Sequence, residues 1–408
     1  MMFLQLGWRN IWRNPRRTAV IMTAIVIGVW SMIFLGALMR GITDQMVGNG
    51  IATLTGHLQI HHTGYRSDPV IENSMKAPGA ITAALESVVP AGGSWAFRVR
   101  VNAIASNARH FAGITFVGIQ PEAERTMSFI GTAVTEGHFL AESDAHGIMI
   151  GKALAEKFET KVGRKLLIMS QDTAGEIASR SFRITGIYQA EFESTEKRFA
   201  FVTMDAARDM LKMGEMVSEI SVILPDCADL ERVVAGLKAV LPVRDYEIHS
   251  WQELLPLVRV YLQVYDDFIY LWFLVVFIAM SFGIVNTTLM AVYERIREFG
   301  LLKAMGMKPW WIIQGVLVES FFILILGMVI GNVLSVLSVY ALSFTGIDLS
   351  SLARGSEFAG MSKVIYPVIQ GRDVIVANLV VFVLGLVVSA YPALKAARFS
   401  SVKALAHT

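Results

Sequence analysis

A single cysteine, Cys227, stands in 408 residues. One thiol closes no intrachain disulfide and builds no cysteine cluster, so the chain relies on neither in whichever compartment it faces. Charge is also scarce. Asp, Glu, Lys and Arg make up 17% of the residues, where soluble domains carry about a quarter. The net charge of +2 supplies no field for a nucleic acid, and none is expected as a partner. Nucleotide motifs are missing too. The nearest string to a phosphate-cradling loop, Gly147-Ile-Met-Ile-Gly-Lys-Ala, has the wrong spacing and no Ser or Thr after Lys152. No dinucleotide fingerprint occurs, so no cofactor is expected in this chain.

The shortage of charge is concentrated in a few places. Hydrophobic residues make up 54% of the chain, and four runs reach the roughly 20 apolar residues that cross a bilayer. They lie at 18–40, 268–293, 309–347 and 374–394; the third holds one acid, Glu319. The first run exceeds the about 7–15 apolar residues of a signal peptide and reads as an uncleaved anchor. Orientation follows from the basic residues at the ends. Arg9, Arg13, Arg16 and Arg17 precede the first run, with no acid before Asp44. Arg295, Arg297, Lys303 and Lys308 join the second and third runs, and Lys395, Arg398 and Lys403 follow the fourth. In a four-span topology these all fall on the cytoplasmic side. The expectation is an α-helical membrane protein with four transmembrane helices and an α+β extracytoplasmic domain, 41–267, inserted between helices 1 and 2. A loop at 348–373 lies on the outer side, a short loop at 294–308 and a tail at 395–408 on the inner. Residues 1–17, with Leu4, Trp8, Ile11 and Trp12 at helical spacing, read as an amphipathic helix on the cytoplasmic leaflet, or as an ordinary basic flank.

Within 41–267, alternating segments predict strands at 56–62, 97–105, 114–119, 165–170, 182–188, 200–203 and 218–224. Helices are predicted at 152–159, 204–213 and 228–240, with Asp205 and Asp226 near their starts. Ser250-Trp-Gln-Glu253 matches a capping box. From there the apolar face runs on into the second span and predicts one long helix, with Pro256 in its early turns.

Candidate chemistry is sparse. His57, His61 and His62 read as surface strand histidines, because no acid or cysteine completes a metal set. Glu319 reads as a functional intramembrane acid or as a packing acid bonded to Asn286 or Thr287; the packing reading is preferred. Small residues four apart, such as Ala24 and Gly28, Ala279 and Gly283, Gly327 and Gly331, and Gly385 and Ser389, fit close helix packing or dimerisation. Phe34, Leu38, Tyr261, Tyr265, Phe268 and Trp272 line an acyl-chain path near the outer leaflet or else simply pack. The loop Glu294-Arg-Ile-Arg-Glu-Phe-Gly-Leu-Leu-Lys-Ala-Met-Gly306 predicts a short amphipathic helix. Its Phe299, Leu301, Leu302 and Met305 need a partner to cover them.

That loop resembles the coupling motif of FtsX-like (MacB-type) ABC transporter permeases. So do residues 6–18 (Leu-Gly-Trp-Arg-Asn-Ile-Trp-Arg-Asn-Pro-Arg-Arg-Thr), residues 391–398 (Tyr-Pro-Ala-Leu-Lys-Ala-Ala-Arg) and residues 401–405. In the outer domain the strings at 136–139, 150–154 and 162–163 are similar to the family's pattern, and 55–60 with Gly64-Tyr65 resembles the lipoprotein-releasing LolC/LolE branch. Against the hook of that branch's carrier-binding permease, segment 171–180 is short. The resemblance implies a MacB-like periplasmic domain and docking of Glu294, Arg295, Arg297, Glu298, Gly300, Lys303 and Gly306 on a separate ATPase dimer that binds ATP and Mg. It further implies a second permease, a periplasmic lipoprotein carrier, and a place among the lipids of the bacterial inner membrane. Its other branches imply tripartite drug or peptide efflux, or regulation of a periplasmic cell-wall hydrolase.

Overall fold

The computed structural model describes residues 2–76, 78–242, 244–348 and 362–399. The expected tail beyond 399, with Lys403, and half of the 348–373 loop, 349–361, lie outside the described residues. The chain divides into two compact units, one of 1–44, 261–351 and 364–408, the other of 45–260 and 352–363.

In chain order the elements begin with α1 (Met2–Arg13) and α2 (Pro15–Gly50). There follow β1 (Leu58–His62), α3 (Pro78–Val88), β2 (Ser94–Ser106), β3 (Phe111–Ile119), α4 (Pro121–Met127), β4 (Val134–Gly137) and β5 (Gly147–Gly151). Next are α5 (Lys152–Lys157), β6 (Lys165–Gln171), β7 (Ile177–Tyr188), α6 (Glu193–Arg198), β8 (Phe199–Thr203), α7 (Met204–Leu211) and β9 (Glu219–Ile223). The chain continues through α8 (Leu230–Val240), β10 (Tyr246–Ser250), α9 (Trp251–Leu254), α10 (Pro256–Glu294) and α11 (Ile296–Ala304). It ends with α12 (Pro309–Thr345), a small ribbon of β11 (Ile347–Asp348) and β12 (Val364–Ile365), and α13 (Gly371–Arg398).

The first unit is helical. Four helices are long and apolar enough to cross a membrane: α2 with its continuation to Thr55, α10, α12 and α13. Pro15 separates α1 from α2 because it lacks an N–H and disfavours helix at Asn14; the Thr18 hydroxyl donates to the Ile11 carbonyl across the break, 2.7 Å. Glycines let the helices approach. A Cβ at Gly327 would sit 2.6 Å from Ile25 Cγ2, one at Gly331 2.9 Å from Val29 Cβ, one at Gly385 2.8 Å from Leu324 Cδ2, and one at Gly28 2.9 Å from Met280 Sδ. The small-residue pairs thus serve packing inside this chain: α2 against α12 and α10, and α13 against α12. A core of Ile25, Val29, Met32, Phe273, Leu324 and Val381 fills the space. Trp8 of α1 meets Phe322 edge-on at 5.6 Å and Ile11 is buried, while Trp12 is exposed.

The second unit is built on a ten-stranded mixed sheet in the order β10-β1-β9-β2-β3-β8-β5-β7-β4, with β6 spanning β2 and β7. Each alternating segment of the sequence coincides with a strand, though 56–57 precede β1 and 218 and 224 flank β9. Strands β4, β5 and β10 carried no alternation that the sequence reading recognised. β5 is buried at every residue, so it shows no polar period. It leads directly into α5, and a Cβ at Gly151 would meet the Glu196 backbone at 2.3 Å. The glycine therefore serves packing of α6 on the strand.

Some local expectations are corrected. Asp205 lies in the first turn of α7 as expected, with Thr203 as the cap accepting from Ala206 N, whereas Asp226 caps a short 3-10 turn ahead of α8. Ser250 makes no capping bond, and Glu253 turns back to His249 Nδ1 at 2.9 Å. The long helix begins only at Pro256, after a break at Leu255 (φ −117°, ψ 64°), because proline takes the first position of a new helix more readily than the second turn of an old one. The chain entering the sheet also bends sharply: Leu54 adopts φ 68°, an uncommon region for a branched residue. Its carbonyl accepts from Gln59 Nε2 at 2.9 Å and from the Arg98 guanidinium.

Candidate coupling site

The segment between the second and third apolar helices folds back on the helical unit. Helix α10 stops at Glu294, Arg295 breaks the helical path (φ −105°, ψ 14°), and α11 follows. Its end is a turn in which Gly306, at φ 92°, donates to the Lys303 carbonyl, a conformation that favours glycine. Pro309 then opens α12.

Three arginines and three carboxylates converge here. Arg13 Nη2 lies 2.9 Å from Glu298 Oε1, and Arg295 Nε lies 2.9 Å from Glu298 Oε2. Arg17 reaches Glu294 at 3.2 Å and Glu319 at 3.0 Å; Arg295 reaches the other oxygen of Glu319 at 3.2 Å. Asn14 Nδ2 donates to Glu294 at 3.3 Å. The formal charges cancel, so no net charge is left around the largely buried side chains of Arg17 and Glu319, while Arg13, Glu294 and Glu298 stay partly exposed. Burial pushes the Glu298 carboxyl up, but hydrogen bonds from Arg295 and Arg13 outweigh it and hold the group below the ordinary carboxylate range. The network ties α11 to the α1–α2 junction and to α12.

Each residue picked out from sequence has a definite place. Glu294, Arg295 and Glu298 form the network. Phe299 and Gly300 are buried, with Phe299 in a cluster with Val292, Ile312, Val316 and Ala396. Leu302 packs on the same cluster. These two apolar side chains therefore find cover within the chain, contrary to expectation; Leu301 and Met305 stay exposed, at 54% and 69%. Lys303 Nζ donates to the Ala397 and Phe399 carbonyls at 2.8 and 2.7 Å, closing the end of α13. Arg297 is on the exposed side of α11.

Glu319 is also corrected. It does not bond Asn286 or Thr287. Thr287 donates to the Gly283 carbonyl in its own helix at 2.7 Å, and Glu319 is held by Arg17 and Arg295. Those partners lie outside the apolar runs, which is why a search for a second charge within the spans missed them.

The six residues read as an acyl-chain path have these neighbours. Tyr261 and Tyr265 stack at 6.3 Å, whereas Phe34 stacks on Trp30 at 5.3 Å. Leu38 is half-buried, Phe268 is exposed, and Trp272 packs on the helical core. Near them, Arg40 holds Asp373 with two bonds of 2.8 and 3.2 Å and also pairs with Asp266, joining α2, α13 and α10. Sequence reasoning missed this clasp, although Arg40 is the one basic residue at the far end of the first run.

The histidines differ from expectation too. His57 and His61 are buried. His57 Nδ1 accepts from Leu224 N at 3.0 Å, and His61 lies 3.0 Å from Gln59 Oε1 and 3.4 Å from the Ser218 carbonyl. Among the described residues no group of three or more His, Cys, Asp and Glu is placed to hold a metal.

Comparison with known families bears on all of this. The MacB-like periplasmic core domain matches residues 18–240, more than half of the chain, and the FtsX-like permease C-terminal region matches 270–401. The chain belongs to the FtsX/MacB-type ABC transporter permeases. With its four apolar helices, the permease is a multi-pass membrane protein with an extracytoplasmic domain. It is 22% identical to the lipoprotein-releasing system transmembrane protein LolC of Neisseria meningitidis serogroup B, over 78% of this chain and 76% of that protein. It is 25% identical to an uncharacterized ABC transporter permease of Methanocaldococcus jannaschii, over 51% of each. The macrolide export ATP-binding/permease protein MacB of Escherichia coli is 22% identical over 83% of this chain and 53% of that protein. The permease thus spans about half the length of the archaeal relative and of MacB. Among solved structures, the periplasmic region of MacB from Actinobacillus actinomycetemcomitans is similar at 15% identity and a TM-score of 0.36, over 54% of this chain and 95% of that one.

Proposed function

We propose that this permease is the membrane lever of an ATP-driven transporter that extracts lipoproteins from the bacterial inner membrane. The observation that carries the reading is the anchored coupling segment. Helix α11 is fixed to α1, α12 and α13 by charge and packing, yet it and the turn that ends it present Leu301 and Met305 uncovered. Exposed apolar groups on a fixed support suit a partner protein. On this reading the partner is a separate ATPase dimer, which binds ATP and Mg, and α11 passes its movement to the helices. Both termini then face the cytoplasm, and the sheet unit works in the periplasm beside a second permease and a lipoprotein carrier. The lipoprotein client is favoured over drug or peptide efflux, or hydrolase regulation, by the similarity to LolC over about three quarters of both chains. The β6–β7 turn, 172–176, is short and pinned by Asp172, which accepts from Ala174 N and Glu176 N at 2.9 and 3.0 Å. It offers no long hook, so in this reading the carrier docks on the sister chain.

The test is Leu301→Asp with Met305→Asp in the chain purified from its native membrane. The ATPase is expected to co-purify with the wild type and to be lost from the variant, while bound lipoprotein is identified by mass spectrometry. Undiminished co-purification removes α11 as the docking element. A bound drug, or a cell-wall hydrolase in place of lipoprotein, changes the client.

A further inference from the structure

The sheet unit contains a concave site that the coupling argument does not use. A cavity of about 290 Å³ opens beside β1, β2 and β9, lined by Arg66, Arg100, Arg198, Asn102, Thr115 and Glu219. Three of these side chains are cationic, and Glu219 is the one carboxylate among the lining residues. Glu219 is already committed: it lies 3.4 Å from the buried Arg98 and 3.5 Å from Arg100. Arg66 is occupied at the rim, next to His249 Nδ1 at 3.4 Å and bonded to the Glu253 carbonyl. Arg198 has no carboxylate partner among the described residues; its Nε donates to the Thr115 hydroxyl at 3.4 Å. The Arg100 and Arg198 guanidinium carbons lie 5.6 and 5.7 Å from the centroid of the same Phe199 ring. Burial, and then the charge of Arg100, pull the Arg198 guanidinium below its ordinary value. Two like charges gathered in a concave, donor-rich site without enough acid to balance them cost free energy until an anion enters.

We propose that this cavity binds the oxyanion of a ligand, a phosphate or carboxylate group, clamped between Arg100 and Arg198. Guanidinium forks match both groups in charge and geometry, and the volume lies at the small end for ligand pockets, which suits one anionic group of a larger molecule. A lipid headgroup and an acidic client side chain share this chemistry.

The experiment uses the full chain in nanodiscs of zwitterionic lipid, without ATPase, so its outcome is independent of the transport reading. Inorganic phosphate is titrated by calorimetry. Saturable binding is expected, weakened about tenfold or more in Arg198→Gln and unchanged in Arg109→Gln, whose guanidinium pairs with Glu159 and does not line the cavity. An unaltered melting temperature of Arg198→Gln confirms that it folds. Competition by dihexanoyl phosphatidylglycerol then identifies a headgroup ligand, and competition by an acetylated aspartyl peptide a client carboxylate. The proposal is overturned if phosphate shows no saturable binding, or if Arg198→Gln binds it as the wild type does.

Discussion

A carboxylate set in an apolar helix costs free energy unless cations meet it, and Glu319 meets two. Arg17, with 9% of its side chain exposed, and Arg295, with 18%, share its oxygens. Removing the acid leaves three guanidiniums, Arg13, Arg17 and Arg295, to share two carboxylates, Glu294 and Glu298. Glu319→Ala is expected to destabilise the helical unit by about 3 kcal/mol, the low end for a broken buried pair because Glu319 itself keeps 12% exposure. Glu319→Gln, which still accepts a hydrogen bond, is expected to fall between alanine and wild type. Melting of the detergent-purified chain reads the order directly; an alanine variant as stable as wild type would remove the network as a structural element. The sequence marked Glu319 as the one acid in its apolar run, but gave no route to its partners. Arg17 is 302 residues away and Arg295 is 24, and only helix packing brings them together.

At the scale of an element, β1 shows where periodicity stops informing. The alternation of 56–62 puts His57, just before β1, and His61, within it, on one face but does not say whether that face is wet. β1 lies between β10 and β9, and its first four residues are all buried. Burial therefore lowers the affinity of both imidazoles for a proton. This sets a pH dependence. Below the ordinary histidine value of 6.5, the unfolded chain takes up protons that the folded chain refuses. Stability contributed by neutral His57 and His61 is thus complete above that pH and lost as the pH falls below it. Glu219 acts in the same direction at lower pH. Burial raises its carboxyl, but Arg100 and Arg98 pull it below the usual 4.5, so its contribution disappears on acidification through the lowered value. The melting temperature is expected to fall between about pH 7.5 and 5.5, and less steeply in a His57→Gln, His61→Gln variant. Equal slopes would mean that neither histidine stays neutral in the fold. Other elements were legible because one local signal dominated: composition for α2, α10, α12 and α13, and alternation for β2, β3, β6 and β7. β5 and α9 were not, because burial on both sides erased one signal and a single proline cut the other.

For the whole molecule, the decisive feature is how the chain passes between its units. Apart from the passages at either end of 352–363, it crosses within α2, near residue 44, and within α10, near residue 260. These two crossings are helical, and α10 continues without a break from Pro256 to Glu294, where the charged network begins. In the proposed transporter a stiff crossing carries force and a soft one absorbs it. Val260 and Val264 are exposed, at 52% and 53%, so replacing them removes no core contact. Val260→Gly with Val264→Gly weakens the helix locally by on the order of 1 kcal/mol and leaves α11 and its network untouched. With the partner ATPase and a lipoprotein client in proteoliposomes, ATP hydrolysis is expected within about twofold of wild type, because the docking element is unchanged, while client release per ATP falls by about tenfold, the factor that corresponds to roughly 1.4 kcal/mol. A matched Val260→Ala, Val264→Ala variant, which keeps the helix stiff, is expected to release client normally. If the glycine and alanine variants release client equally well, stiffness of α10 is not what transmits the stroke, and movement has to reach the sheet unit by another connection, such as α2.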